Sequence, residues 1–313
     1  MAMKTSTHMR VKCTNFSLEG YITPTPPFDF AQSIKFLECF PPMQGEQIIN
    51  QTSITKTLCI EEQSIVCELS VTGTVNNPQL SYRLVSTEPI SEHIKSKAVD
   101  RIEFFLSLQE NLQPFYDIGL KDEAFAPIVQ KLYGYHQVKF TTPFENACWA
   151  ILSQRNPMTI AHRQKQRLVG WFDNRVCLSS GKDHLAFPEP SQILTLDAET
   201  LNNLIHNKRK TQYLQAVAAA FDKVDENFLR TGDYETVKSW LRSISGIGKW
   251  SAAFILIRGL GRMEQIAQEK KLVQCAARVY GEQQVQSQED VCRLAQPYGD
   301  WQGYWAHYLR VGA

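Results

Sequence analysis

Two glycines one residue apart, Gly246 and Gly248, fall between two runs of helical periodicity, and this arrangement restricts the possible folds most strongly. Upstream, Tyr234 to Ile244 places Val237, Trp240, Leu241 and Ile244 at helical spacing. Downstream, Trp250 to Ile257 is almost wholly apolar and predicts a buried helix. A Gly-Ile-Gly turn between helices permits φ > 0 and a close backbone approach. The free N–H groups that open the second helix then form an anion site. A glycine-rich helix–helix turn without a ligand fits the same residues. The stretch alone supports both readings.

The chain has 313 residues, enough for two or three domains. Hydrophobic residues make up 43% and charged residues 21%, the balance of an ordinary soluble globular protein. A net charge of +1 hides any local basic face, so it argues neither for nor against nucleic acid. The eight cysteines are Cys13, Cys39, Cys59, Cys67, Cys148, Cys177, Cys275 and Cys292. None form a C-x-x-C pair and most lie in apolar runs, which predicts buried reduced thiols and no metal site. The start, MAMKTSTHMRVK, lacks the apolar core of a signal peptide, and no apolar run reaches bilayer length. The expected location is cytoplasmic, in a bacterial cytosol or nucleoid, with no membrane partner.

From about Asn15 to Thr87 the pattern is strand-rich. Ile65, Cys67, Leu69 and Val71 share one face of a strand over 64–72; Leu80, Tyr82 and Leu84 share one face of the next. Asn76-Asn77-Pro78 predicts the turn between them. A helix from Phe28 to Phe40 ends at Pro41-Pro42, and a second runs roughly from Ser91 to Leu108. These make a small α+β domain over 1–110. The remainder, 111–313, reads as helical: Phe144 to Gln154, Met158 to Phe172, Ser191 to Leu194, Ala198 to Ile205 and Lys210 to Phe221 before the hairpin. After it come Leu272 to Tyr280, Gln288 to Ala295 and a last helix from about Trp301. His162, Arg163, Lys165 and Arg167 fall on the polar side of the second of these.

Several spaced stretches then agree on a family. Pro143-Phe144-Glu145-Asn146-Ala147-Cys148-Trp149-Ala150-Ile151-Leu152-Ser153-Gln154 is followed by Phe187-Pro188-Glu189-Pro190 and by Lys208-Arg209-Lys210 before a helix. Ser245 to Ala252 comes next, then Arg258-Gly259-Leu260-Gly261 and Trp301-Gln302-Gly303-Tyr304. In order and spacing, over about 110–310, the chain resembles the helix-hairpin-helix (HhH-GPD) DNA glycosylases, in particular the AlkA-like 3-methyladenine glycosylase II branch. The resemblance implies a fold of class α+β. A small TBP-like antiparallel-sheet domain precedes an all-helical pair of lobes with a cleft between them. It implies hydrolysis of the N-glycosidic bond of an alkylated base flipped out of duplex DNA, in base-excision repair, by a cofactor-free monomer without a metal.

The resemblance also assigns roles. Gly246, Ile247 and Gly248 would hold a phosphate through main-chain N–H groups, with Lys249 in support. Lys208, Arg209 and Lys210 would meet the backbone, although a solvated basic cluster has the same sequence. Arg155 stands where the family inserts the wedge that replaces the flipped base; stacking through its guanidinium and simple phosphate attraction are both open. Trp250 and Phe254, four apart on one helix face, would line the base pocket, where an aromatic wall suits a cationic alkylated purine; plain core packing is the alternative. Bifunctional relatives carry a Schiff-base lysine at the Trp250 position, so this chain resembles the monofunctional ones. Lys249 is one residue off.

Two positions depart from the pattern. Counting from Gly246, the family's catalytic aspartate falls on Lys270, with Glu269 beside it and Glu264 earlier in the loop. An ammonium about 4 Å from a developing sugar cation costs about 4 kcal/mol even at an effective dielectric of ~20. Three explanations stand: a one-residue shift that makes Glu269 the carboxylate, catalysis that leans on a good leaving group, or a non-catalytic DNA- or damage-binding protein. For Glu269 a solvated carboxylate in a first helical turn is the bland alternative. The second departure is Arg310, where the family often carries a pocket tryptophan, which implies a more polar pocket.

Overall fold

The computed structural model describes residues 15–178 and 183–313; Cys13 and the first residues of the chain lie outside it. β1 (Phe16–Ile22) leads through α1 (Phe30–Cys39) to β2 (Ile48–Asn50), β3 (Ser53–Ile60), β4 (Gln63–Val71) and β5 (Leu80–Ser86), and α2 (Glu92–Leu106) follows. The five strands form one antiparallel sheet in the order β1-β5-β4-β3-β2. Period-two burial explains the sheet's inner face: Ile65, Cys67 and Leu69 are buried with Leu80 and Leu84, against Ile34 and Leu37 of α1 and Ala98 and Ile102 of α2. Val71, expected on that face, is exposed where the strand ends. The opposite face is also partly covered, because Val66 and Val85 pack against Val176.

The helical region begins with α3 (Gln113–Gly119), α4 (Ala126–Lys131), α5 (Pro143–Ser153) and α6 (Met158–Phe172). It is not purely helical: β6 (Arg175–Cys177) pairs with β7 (Asp183–Leu185) in a small antiparallel ladder. Then come α7 (Pro190–Leu194), α8 (Ala198–Ile205), α9 (Lys208–Phe221), α10 (Glu226–Thr231), α11 (Tyr234–Ser243) and α12 (Lys249–Phe254). A π-helical turn, Ile255–Leu260, continues α12, and α13 (Lys270–Tyr280), α14 (Gln288–Ala295) and α15 (Gln302–Gly312) complete the chain.

Two separate cores make two lobes. One joins the sheet to α5, α6, α8, α9 and the hairpin helices through Trp149, Leu152, Leu214, Leu241 and Leu256. The other gathers Phe115 of α3, Phe125 just before α4, Tyr298 of the 3-10 turn Gln296–Trp301, and Trp305 and Tyr308 of α15. Phe36 of α1 packs against both. A junction of sheet domain and two lobes is where a cleft forms.

Buried charge ties the first lobe to the sheet domain. Lys165 does not lie on a solvated face of α6: its ammonium is buried, 2.7 Å from Glu145 of α5, and it also pairs with Glu46, which Lys56 of β3 holds at 3.0 Å. Burial by itself raises the Glu145 carboxyl, but Lys165 and Lys56 outweigh it and bring it down to about 2. His162 packs its ring on Trp149.

Among the described residues, Cys59, Cys67, Cys148 and Cys275 are buried as expected, and burial pushes the Cys59 thiol up to about 12. Cys39 contradicts that expectation. It sits exposed at the end of α1, where the chain turns at Pro41 and no neighbour covers it. Among the described residues no helix is long and apolar enough to cross a membrane, and no group of three or more His, Cys, Asp or Glu stands close enough to hold a metal ion.

Candidate active site

The hairpin forms between α11 and α12. Gly246 has φ +93°, and a Cβ there would stand 2.4 Å from the Tyr213 ring, so both conformation and space demand glycine. Gly248 differs: its φ is −88°, in extended backbone, and an added Cβ would meet nothing within 4 Å. It is the N-cap of α12 without a side-chain cap, so the amides after it open toward solvent beside exposed Lys249. Ile247 is buried in the first lobe and anchors the turn.

Side chains from two other elements lock onto this hairpin. The Gln154 amide donates to the Gly246 carbonyl at 2.8 Å and to Ser251 Oγ at 3.2 Å. The next residue, Arg155, is exposed at φ +51°, a conformation bulky L-residues rarely hold. Arg209 is exposed at the start of α9, stacks on Tyr213 and donates to its hydroxyl at 2.5 Å; Lys208 beside it is also exposed. Lys210 departs from the expected basic cluster. It is buried and donates to the Leu152 carbonyl at 2.6 Å, closing the end of α5, and burial lowers its ammonium to about 8. Hairpin, Arg155 turn and α9 start therefore form one connected surface.

A cleft of about 600 Å³ opens next to it. Trp250 and Phe254 form one wall, with rings stacked at 5.2 Å and only 8° apart. Trp250 is 48% exposed, so it is not core, and the first turn of α12 is not the buried helix its apolar letters suggest. Phe36, Phe40, Pro41 and Pro42 of the sheet domain line the cleft opposite, with Met158 at the start of α6. Glu269 lies in the cleft, and Lys270 is not among its lining residues. Glu264 is bound elsewhere, to Arg262 at 2.6 Å.

Local structure explains the placement of Glu269. It is the N-cap of α13, with φ −144° and ψ 138°, yet its side chain makes no capping bond. The carboxylate reaches Arg310 of α15 instead, at 3.0 Å. Behind them Arg258, from the π-helical turn, lies buried with its guanidinium 4.9 Å from the Phe36 centroid and 5.4 Å from that of Phe40. It donates to His307 Nδ1 at 3.0 Å. A guanidinium only donates, so His307 accepts on Nδ1 and gives its Nε2 proton to the Tyr135 hydroxyl at 3.0 Å. Burial, then Arg258 and Arg310, push His307 well below its ordinary range and keep it neutral. Burial brings Arg258 down to about 10, which leaves it charged at neutral pH.

Trp250, Phe254 and Glu269, singled out from the sequence, line one cleft in the structure. Sequence reasoning missed Phe36, Phe40, Met158 and Arg258. The Phe36/Phe40 pair sits at helical spacing just before two prolines, a signal that could have marked them. Arg258 lies inside a stretch read only as a family motif.

No family model matches the chain. A DNA-3-methyladenine glycosylase of Bacillus subtilis is 23% identical over 265 residues, covering 83% of this chain and 86% of that protein. A 3-methyladenine DNA-glycosylase structure from Archaeoglobus fulgidus superimposes with a TM-score of 0.75 at 18% identity, over 93% of this chain and 97% of that one. An 8-oxoguanine glycosylase/lyase structure from Clostridium acetobutylicum follows with a TM-score of 0.67 at 11% identity, over 94% and 96%. With this hairpin, the antiparallel sheet domain and the two helical lobes, the chain has the fold of the helix-hairpin-helix DNA glycosylases and is similar in sequence to a 3-methyladenine glycosylase over most of its length.

Proposed function

We propose that the protein is a monofunctional DNA glycosylase that hydrolyses the N-glycosidic bond of an alkylated base, of the 3-methyladenine class, flipped from duplex DNA. The observation that carries this reading is a single cleft holding an exposed aromatic wall and a carboxylate beside the uncapped first turn of α12. In this reading the amides around Gly246, Ile247 and Gly248 hold a phosphate, Lys249, Lys208 and Arg209 add positive charge, and Arg155 enters the stack. The flipped base lies on Trp250, backed by Phe254; base–aromatic stacking supplies ~1–3 kcal/mol. Glu269 stabilises the sugar cation as the bond breaks and orients water toward C1′. With tryptophan at position 250 no lysine forms a Schiff base there, so the product is an intact abasic strand.

The test is incubation of the purified protein with methylated duplex DNA. Free base should be released, and strands should break only after alkaline treatment. Direct strand cleavage would remove the monofunctional assignment. A second reading, a non-catalytic damage binder, is favoured by the Glu269–Arg310 pair, because a neutralised carboxylate stabilises a cation less. Selective binding of damaged duplex without base release would establish that reading instead.

A further inference from the structure

Helix α6 carries charge that the cleft does not use. Over its 15 residues it holds Arg163, Lys165 and Arg167 and no carboxylate. Among the described residues its only ion pairs are those of buried Lys165. The carboxylate that follows the helix, Asp173, is paired with Arg175. Arg163, Arg167 and Trp171 are all exposed, and their four-residue spacing sets them one turn apart along one side of α6, over roughly 12 Å. Trp171 is 53% exposed, and among the described residues no other ring stacks on it. Gly170 keeps the approach open, since even an added Cβ would meet nothing within 4 Å.

This side of α6 continues the surface built around the hairpin. The Asn156 amide donates to the Gln164 side chain at 3.0 Å, and Gln164 donates to the Ile205 carbonyl at 2.6 Å. Arg167 reaches the Leu204 carbonyl at 3.4 Å through one guanidinium N–H, which leaves the others for a ligand. These bonds hold the Arg155 turn, α6 and the start of α9, with exposed Lys208 and Arg209, in one block.

Resting on the glycosylase reading only for its DNA partner, we propose that α6 is a second DNA site. Arg163 and Arg167 hold phosphates of a single strand that leaves the duplex beside the lesion, and Trp171 stacks one of its bases. Arginines without facing carboxylates fit a polyanion. The indole at the end of the stripe narrows the choice. Paired bases are already stacked on one another and offer it no face, whereas an unpaired base does, whatever its identity. The substrate class that follows is damaged DNA at a junction of double and single strand.

The experiment titrates the full-length protein, at fixed salt, with lesion-free DNA: a blunt duplex, and the same duplex with a thymidine tail of about ten nucleotides on its 3′ or its 5′ end. A tail of one polarity should tighten binding about tenfold. Trp171→Ala should remove most of that gain and Trp171→Phe should keep most of it, both binding the blunt duplex as the parent does. Arg163→Gln with Arg167→Gln should flatten the salt dependence of binding to the tailed duplex. No gain from either tail, or a gain unchanged in Trp171→Ala, would overturn the proposal. Inorganic polyphosphate probes charge alone: Trp171→Ala should bind it as the parent does, and an equal loss there would make Trp171 a packing residue and overturn the stacking role. Base release from methylated versions of the same DNAs is measured separately. A tail effect through Trp171 without release would remove the catalytic reading and leave the α6 site standing; release without a tail effect would do the reverse.

Discussion

At Glu269 the chain leaves a helix uncapped and keeps a carboxylate in the cleft. A serine or aspartate would satisfy the first amides of α13, and Lys270 and Lys271 make that end worse by opposing the helix dipole. Lys270→Asp should accordingly stabilise the protein, by ~0.3–1 kcal/mol in thermal or denaturant melts. Because Lys270 is exposed and outside the cleft, Glu269→Gln/Lys270→Asp should not recover base release lost in Glu269→Gln. Recovery in the double variant would mean that position 270, not 269, is the catalytic point. Trp250→Ala should weaken binding to a damaged duplex about tenfold, within the ~1–3 kcal/mol of a lost stacking partner, and leave unmodified duplex nearly unaffected. Equal loss on both would make Trp250 a packing residue. At this scale the sequence was legible where chemistry follows from position along one helix, as for Trp250 and Phe254. It was not legible at the Glu269–Arg310 pair, because no local pattern reports that two side chains from different helices meet.

The hairpin works as an element because its two glycines do different things. Gly246→Ala forces a side chain into the left-handed region and onto the Tyr213 ring, so it should destabilise the fold by ~1–3 kcal/mol. Gly248→Ala meets open space at an ordinary φ and should fold normally, while its methyl group stands where a phosphate would approach. Its DNA affinity should fall severalfold on damaged and undamaged duplex alike, in a titration at fixed salt. Unchanged affinity in the folded variant would detach the hairpin from DNA binding. Longer elements were readable from periodicity and caps: α6, α8 and α14 begin and end where their patterns do. The misses are short or tertiary in origin. β6 and β7 have three residues each, too few for alternation to show, and Lys165 looks solvated until Glu145 and Glu46 surround it.

Across the whole molecule, the cleft depends on the sheet domain staying seated, since Phe36, Phe40 and Pro41 form one of its sides. The Glu46–Lys56–Lys165–Glu145 network crosses that joint. Lys165→Met leaves Glu145 buried without its main partner and should destabilise the protein by ~3–5 kcal/mol; pairing it with Glu145→Gln should return part of the loss. The pH dependence has a definite sign. Glu145 is held at about 2 against an ordinary 4.5, so its contribution is complete above about 4.5 and is lost as pH falls toward 2. Acid titration of the melting temperature should show this loss in the parent and a smaller one in Glu145→Gln.

We propose that this cleft breaks a glycosidic bond with Glu269. The most direct measurement is single-turnover release of free base from alkylated duplex DNA by the parent protein and by Glu269→Gln, with DNA binding of both measured in parallel. Release by the parent, a drop of 100-fold or more (~3 kcal/mol) in Glu269→Gln, and equal binding by both are expected. Equal release by the two proteins would contradict this proposal and assign the chemistry to the leaving group alone.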